Sequence, residues 1–198
     1  MKLGCCLWFT GLPSSGKTTI AHALETELRA LGRCVEVLDG DAIRKNLSVG
    51  AGFSREDRIA HIGRIAYVAK LLSRNGVVAI CSVISPYREM RDRARAEIPE
   101  FVEVHVQCPV EECVRRDVKG LYKKALAGEI TNMTGIQDPY EAPLAPELVI
   151  PTDQESVESS VARVIARMRE LGYLEPEQVY SEEEERLIEK RLGDLGYL

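Results

Sequence analysis

The segment Gly11-Leu12-Pro13-Ser14-Ser15-Gly16-Lys17-Thr18 constrains this chain more than any other stretch. It fits the pattern G-x-x-x-x-G-K-T, and its surroundings give it meaning. An apolar run ends at Phe9 before it, and an amphipathic helical stretch opens near Gly16 after it. Glycines let the backbone curl so that its N–H groups turn inward toward phosphate oxygens. The amino terminus of the helix adds partial positive charge. Such a loop binds ATP or GTP, with Lys17 reaching the β and γ phosphates and Thr18 ligating Mg²⁺. Thr19 follows on the same first turn. A glycine turn without a ligand is the bland alternative, and the order of strand, loop, Lys-Thr and helix counts against it.

Downstream, apolar runs alternate with amphipathic ones. Strands are predicted over residues 3–9, 34–38, 77–83 and 101–107 and near 148–150; helices over 16–31, 54–74, 88–97, 110–116 and about 155–171. Gly32 and Gly76 fall where helices should end. Strands that are apolar without alternation belong to a parallel sheet covered on both faces, so the expected fold is α/β and doubly wound, a P-loop nucleoside triphosphate kinase architecture. Residues 117–146, rich in Lys, Gly, Pro and Tyr, are too long for a passive connection and read as a lid. Residues 1–174 are expected to form the domain. Residues 175–198 read as an acidic helical extension, with Ser181 capping a run of four glutamates.

The length of 198 residues suits this single domain, and the formal charge of −5 is unevenly placed. Residues 175–198 hold eight acids and three bases, which accounts for all of it. The remainder is balanced and offers no nucleic-acid footprint. The longest apolar run, Val77 to Ile84, is too short to cross a bilayer, and the amino terminus reads as a buried strand rather than a signal peptide. The six cysteines lie mostly in or beside apolar strands and include no C-x-x-C pair, so free thiols and a cytoplasmic setting are expected.

After the second strand comes Leu38-Asp39-Gly40-Asp41-Ala42-Ile43-Arg44. Carboxylates at the carboxyl end of a parallel strand sit where such sheets bind ligands. One there can take a proton from an attacking hydroxyl or hold Mg²⁺ through water. The plainer reading is a turn whose second aspartate caps a helix. Four further segments follow: Phe53-Ser54-Arg55-Glu56-Asp57-Arg58; Ile84-Ser85-Pro86-Tyr87-Arg88; Arg116 through Lys124; and Met133 through Glu141. With these in order, residues from about 4 to 172 resemble the adenylylsulfate (APS) kinases, which phosphorylate the 3′-hydroxyl of adenosine 5′-phosphosulfate.

The resemblance implies that Asp41 orients or deprotonates the acceptor hydroxyl and that Asp39 supports the turn or the metal. Arg44 and Arg58 would hold the phosphosulfate, Phe53 would stack on the acceptor adenine, and the turn at Ile84, Ser85 and Pro86 would line its pocket. Arg116 and Lys119 would close over ATP, with Lys119 also reaching the acceptor. Thr134 and Gly135 complete the acceptor side. Two positions depart from the family pattern: His61 stands where Asn is usual, and Met133 where Phe forms the second half of an aromatic clamp. His61 would keep one hydrogen bond, with a charge that varies near neutral pH. Taken without the resemblance, Arg58, His61 and Arg64 form a basic stripe that reads as a solvated helix face. His22 and His105 read as structural, and Trp8 as core. The family also implies a homodimer and a functional link to ATP sulfurylase. A kinase for another nucleotide-linked acceptor, or a nucleotide-binding regulatory subunit with little turnover, remains as the alternative.

Overall fold

The computed structural model describes residues 3–176 and Arg191. Five strands, β1 (Cys5–Thr10), β2 (Val35–Asp39), β3 (Val78–Ser82), β4 (Phe101–Gln107) and β5 (Leu148–Pro151), form one parallel sheet in the order β2-β3-β1-β4-β5. All six residues of β1 are buried. Cys5, Leu7 and Phe9 face one core with Ile20, Leu24 and Leu28; Cys6 and Trp8 face another with Ile62, Ile65 and Met90. A strand with a core on each side has no reason to alternate, hence the unbroken apolar run.

Helices α1 (Lys17–Ala30) and α7 (Val157–Glu170) cover the first face, and α3 (Arg55–Ser73) and α4 (Arg88–Glu97) the second. Ser54 and Ser156 cap α3 and α7 with their side chains. The expected helix ends at Gly32 and Gly76 are met, with φ of 69° and 83°. All six cysteines are free. Two helices were not read from the sequence as such: α2 (Gly40–Leu47), and α6 (Leu121–Leu126) within the lid segment; α5 (Val110–Arg116) precedes the latter. The lid has its own small core, where Tyr122, Ala125 and Met133 pack on Leu12, Cys108 and Cys113. The extension expected over 175–198 lies outside the described residues, apart from Glu175, Pro176 and Arg191. Among the described residues no helix is long and apolar enough to cross a membrane.

Strand β1 has β3 on one side and β4 on the other, so the connections diverge at its carboxyl end. That divergence opens the crevice where doubly wound sheets bind ligands, and the phosphate loop fills it.

Candidate active site

The loop is built for close approach. A Cβ on Gly11 would lie 2.4 Å from the Val106 carbonyl oxygen, and Gly16 adopts φ of 100°, open to glycine alone without strain. Ser14 also sits at positive φ, 60°. Among the described residues no side chain caps α1 at Gly16, which leaves its first-turn amides for an anion. Lys17 is buried and folded back over the loop, donating from Nζ to the carbonyls of Gly11 (2.9 Å) and Leu12 (2.6 Å) and to Ser15 Oγ (3.4 Å). Burial pushes its pKa down to about 8.

Beside the loop, Thr18 Oγ1 donates to Asp39 Oδ2 at 3.1 Å and lies 3.1 Å from Ser82 Oγ. The other oxygen of Asp39 accepts from the amides of Asp41 (3.0 Å) and Ala42 (3.2 Å). Asp39, not the second aspartate, therefore caps α2, and Asp41 is left exposed on its first turn. Its carboxylate is paired with Lys119 Nζ, which brings the lid to the turn and raises the Lys119 pKa. Thr18, Asp39 and Ser82 form a set of hard oxygen donors beside the phosphate loop. That set fits Mg²⁺, which keeps waters and takes phosphate oxygens with one or two protein ligands.

Arg58 is the hub of the residues expected on the acceptor side. Nη1 donates to Thr134 Oγ1 (2.7 Å), Nη2 to the Asn132 carbonyl and Nε to the Phe53 carbonyl (2.9 Å), with Asp138 at 3.8 Å. Phe53 is 60% exposed, with the Arg44 guanidinium 4.8 Å and that of Arg58 5.9 Å from its ring centre. The expectation of a solvated basic stripe holds for Arg64, which is exposed, and fails for the other two members. Arg58 and His61 are buried, because residues 132–134 and α2 lie across that face of α3, a contact no local periodicity reveals. Burial and the nearby Arg44 push the His61 pKa down to about 4, so its charge does not vary near neutrality. Met133 is buried in the lid core rather than standing free opposite Phe53. Gly135, at φ 90°, lets the lid pack on the phosphate loop, since a Cβ there would lie 2.7 Å from Leu12 Cδ2.

The turn after β3 is held from behind. Ser85 has φ of 39° and is buried. Its hydroxyl accepts from Trp8 Nε1 (3.1 Å) and donates to Thr10 Oγ1 (3.0 Å), whose hydroxyl in turn donates to the Ile84 carbonyl (2.8 Å). Trp8 is core, as read, and also supports this turn. Buried Arg91 ties the Ser85 carbonyl (2.6 Å) to that of Glu141 (2.6 Å), and the Pro86 carbonyl accepts from the Glu141 amide (2.8 Å), so the segment expected as a lid is bonded to the turn. His22 pairs with Glu25 on an exposed turn of α1, and His105 stacks on Tyr140, both structural settings.

Sequence reasoning missed Thr152. Its hydroxyl donates to the Ser15 carbonyl (2.8 Å), and Arg116 donates to its carbonyl (2.8 Å) and hydroxyl (3.2 Å). Arg116 therefore reaches the phosphate loop through Thr152, at the carboxyl end of β5. The only signal was that position, one residue past a parallel strand.

A doubly wound sheet with a lysine-bearing phosphate loop, an aspartate turn beside it and a lid across both defines a P-loop kinase. The family model for adenylylsulphate kinase matches residues 3–151. The adenylyl-sulfate kinase of Picosynechococcus sp. is 55% identical over 173 residues, which cover 87% of this chain and 98% of that one. A probable bifunctional SAT/APS kinase 2 of Sorangium cellulosum is 56% identical over 171 residues, 86% of this chain and 29% of that one. Among solved structures, the Mycobacterium tuberculosis APS kinase CysC in complex with AMPPNP and APS superposes with a TM-score of 0.82. It is 40% identical, with 85% of this chain and 99% of that chain covered. The chain belongs to the adenylylsulphate kinase family.

Proposed function

We infer that the chain transfers the γ-phosphoryl group of ATP to the 3′-hydroxyl of adenosine 5′-phosphosulfate, giving ADP and 3′-phosphoadenylylsulfate. The observation that carries this is the Asp39 carboxylate, which accepts from Thr18 of the phosphate loop on one oxygen and from the Asp41 and Ala42 amides on the other. One side chain thus sets the donor loop and the acceptor's proton acceptor in register. The solved complex with AMPPNP and APS and the matching family support the choice of both substrates.

Gly11 to Thr19 hold the ATP phosphates, with the uncapped amino terminus of α1 directed at their charge. Lys17 leaves the Gly11 and Leu12 carbonyls for the β and γ phosphates, and Arg116 with Thr152 flanks the loop. Arg44, Arg58, Phe53, Thr134, Gly135 and the turn at Ile84, Ser85 and Pro86 make the acceptor side. Asp41 exchanges Lys119 for the 3′-hydroxyl, and Lys119 turns to the transferring phosphoryl group. The hydroxyl oxygen attacks the γ phosphorus, the bond from phosphorus to the ADP oxygen breaks, and the hydroxyl proton passes to Asp41. Mg²⁺ held by Thr18, and through water by Asp39, would supply charge neutralisation along the phosphates. The lid, by covering both substrates, excludes water that would otherwise compete as acceptor. For the assembly we propose a homodimer with a functional link to ATP sulfurylase in the cytoplasm, the link supported by the bifunctional relative.

The test is ADP release from Mg-ATP with and without adenosine 5′-phosphosulfate, on the wild type and on Lys17→Ala. Stimulation by micromolar acceptor, abolished in the variant, is the expected result. Normal ATP binding without stimulation would rule out this acceptor.

A further inference from the structure

Helix α2 carries Asp41 and Arg44, yet none of its eight residues is buried. Only Ile43 packs, partly, against the core beneath. Something other than apolar burial has to fix its pitch. Its amino end is held by the Asp39 cap, and its carboxyl end closes at Ser48, whose amide donates to the Arg44 carbonyl at 3.2 Å.

His61, on the second turn of α3, lies directly under this helix and is 4% exposed. Its Nδ1 is 2.9 Å from Ser48 Oγ, which also accepts from Arg64 Nη1 at 3.0 Å. A neutral imidazole has one N–H. Placed on Nε2, it leaves Nδ1 to accept the Ser48 hydroxyl proton. The ring thus holds the residue that ends α2. Buried as it is, the ring offers a substrate almost no surface.

We propose that His61 is a positioning residue: it clamps the carboxyl-terminal cap of α2 and thereby sets Asp41 and Arg44 against the acceptor, rather than touching the acceptor itself. This rests on the function proposed above only for which substrate reports it. A direct binding contact would act through KM for the acceptor alone; a clamp on the helix that bears the proton acceptor acts on kcat as well.

The variants are His61→Phe, which keeps a ring in the cavity without the hydrogen bond to Ser48; Ser48→Ala; the double variant; and His61→Gln, whose amide offers a donor and an acceptor. His61→Phe should lower kcat by about 10- to 100-fold, as expected for a misplaced reacting group. AMP-PNP affinity, measured by calorimetry, should stay within about twofold, since α2 does not build the ATP site. Ser48→Ala should lower kcat in the same direction, and the double variant should fall well short of the product of the single effects, because one network is being cut twice. His61→Gln should recover part of kcat. A rise in acceptor KM with kcat unchanged, or fully multiplicative effects, would overturn the proposal. Hydrogen exchange of the 40–47 peptide tests it independently of any acceptor. His61→Phe, or Ser48→Ala should the former not fold, should speed that exchange about tenfold while leaving the α7 peptide unchanged. Unchanged exchange in α2 would refute the clamp whatever the wild type phosphorylates, whereas a wild type without acceptor-dependent ADP release would refute the substrate alone.

Discussion

The depressed pKa of Lys17 should make ATP binding consume protons, and more of them as the pH rises. Burial holds this ammonium near 8 in the ligand-free protein, below an ordinary lysine at 10.5. At pH 7 about 10% of the molecules then carry a neutral Lys17, and at pH 8.5 about 75% do. Against a triphosphate the charged form is strongly preferred, so the neutral fraction must be protonated on binding. Calorimetric titration with Mg-AMP-PNP in buffers of different ionisation heat should show uptake of about 0.1 proton at pH 7 and about 0.75 at pH 8.5. Affinity should fall about tenfold for each pH unit above 8. Lys17→Arg, charged throughout, removes the pH-dependent part and subtracts other titrating groups. Stability follows the same shift. The folded pKa lies below the unfolded one, so between about 8 and 10.5 the unfolded chain binds more protons and ligand-free stability rises with pH. Below pH 8 the buried charge costs on the order of 3 kcal/mol. Proton uptake equal at the two pH values, or persisting in Lys17→Arg, would refute this account of the loop lysine.

Other perturbations separate the two halves of the site. Asp41→Asn should lower kcat about 10²- to 10⁴-fold with ATP binding intact, read from single-turnover phosphoryl transfer. Arg58→Ala removes a buried charge that also joins α3 to Thr134 and Asn132 of the lid. It should reduce kcat/KM for the acceptor by about 30- to 1000-fold, corresponding to about 2–4 kcal/mol, while the KM for ATP changes little. Thr152→Val cuts the bond to the Ser15 carbonyl and should weaken AMP-PNP binding by about 1 kcal/mol in calorimetry, the acceptor KM staying put. Gly135→Ala meets both a positive φ and Leu12 at 2.7 Å, so thermal unfolding should show a loss of about 1–3 kcal/mol.

What was legible in the chain was what local chemistry determines. The sheet could be read because β1 and β3 are buried on both sides and spell this as unbroken apolar runs. The phosphate loop could be read because its glycines, lysine and threonine each answer a demand made within eight residues. Helix α2 left no such trace: with no buried residue it has no apolar stripe, and its one local signal, a capping aspartate, sits in a turn with two. Thr152 is placed by β5 pairing in parallel with β4, a register set across some 40 residues of chain, so no pattern near it announces the contact with Ser15. The stripe Arg58, His61 and Arg64 misleads at its first two members for the same reason, while Arg64 is exposed as its spacing suggests. Helical spacing shows which residues share a face, and only the tertiary fold shows what covers it. Here the covering elements are α2 and the lid, the two parts whose own sequences least resemble core. Polar residues on α3 are therefore buried by polar neighbours, and each is held by a specific partner: Thr134 for Arg58, Ser48 for His61. A basic stripe matched by nearby Ser, Thr and backbone carbonyls is thus a layer between core and substrate, and such a layer can be read only once the elements that cover it are placed.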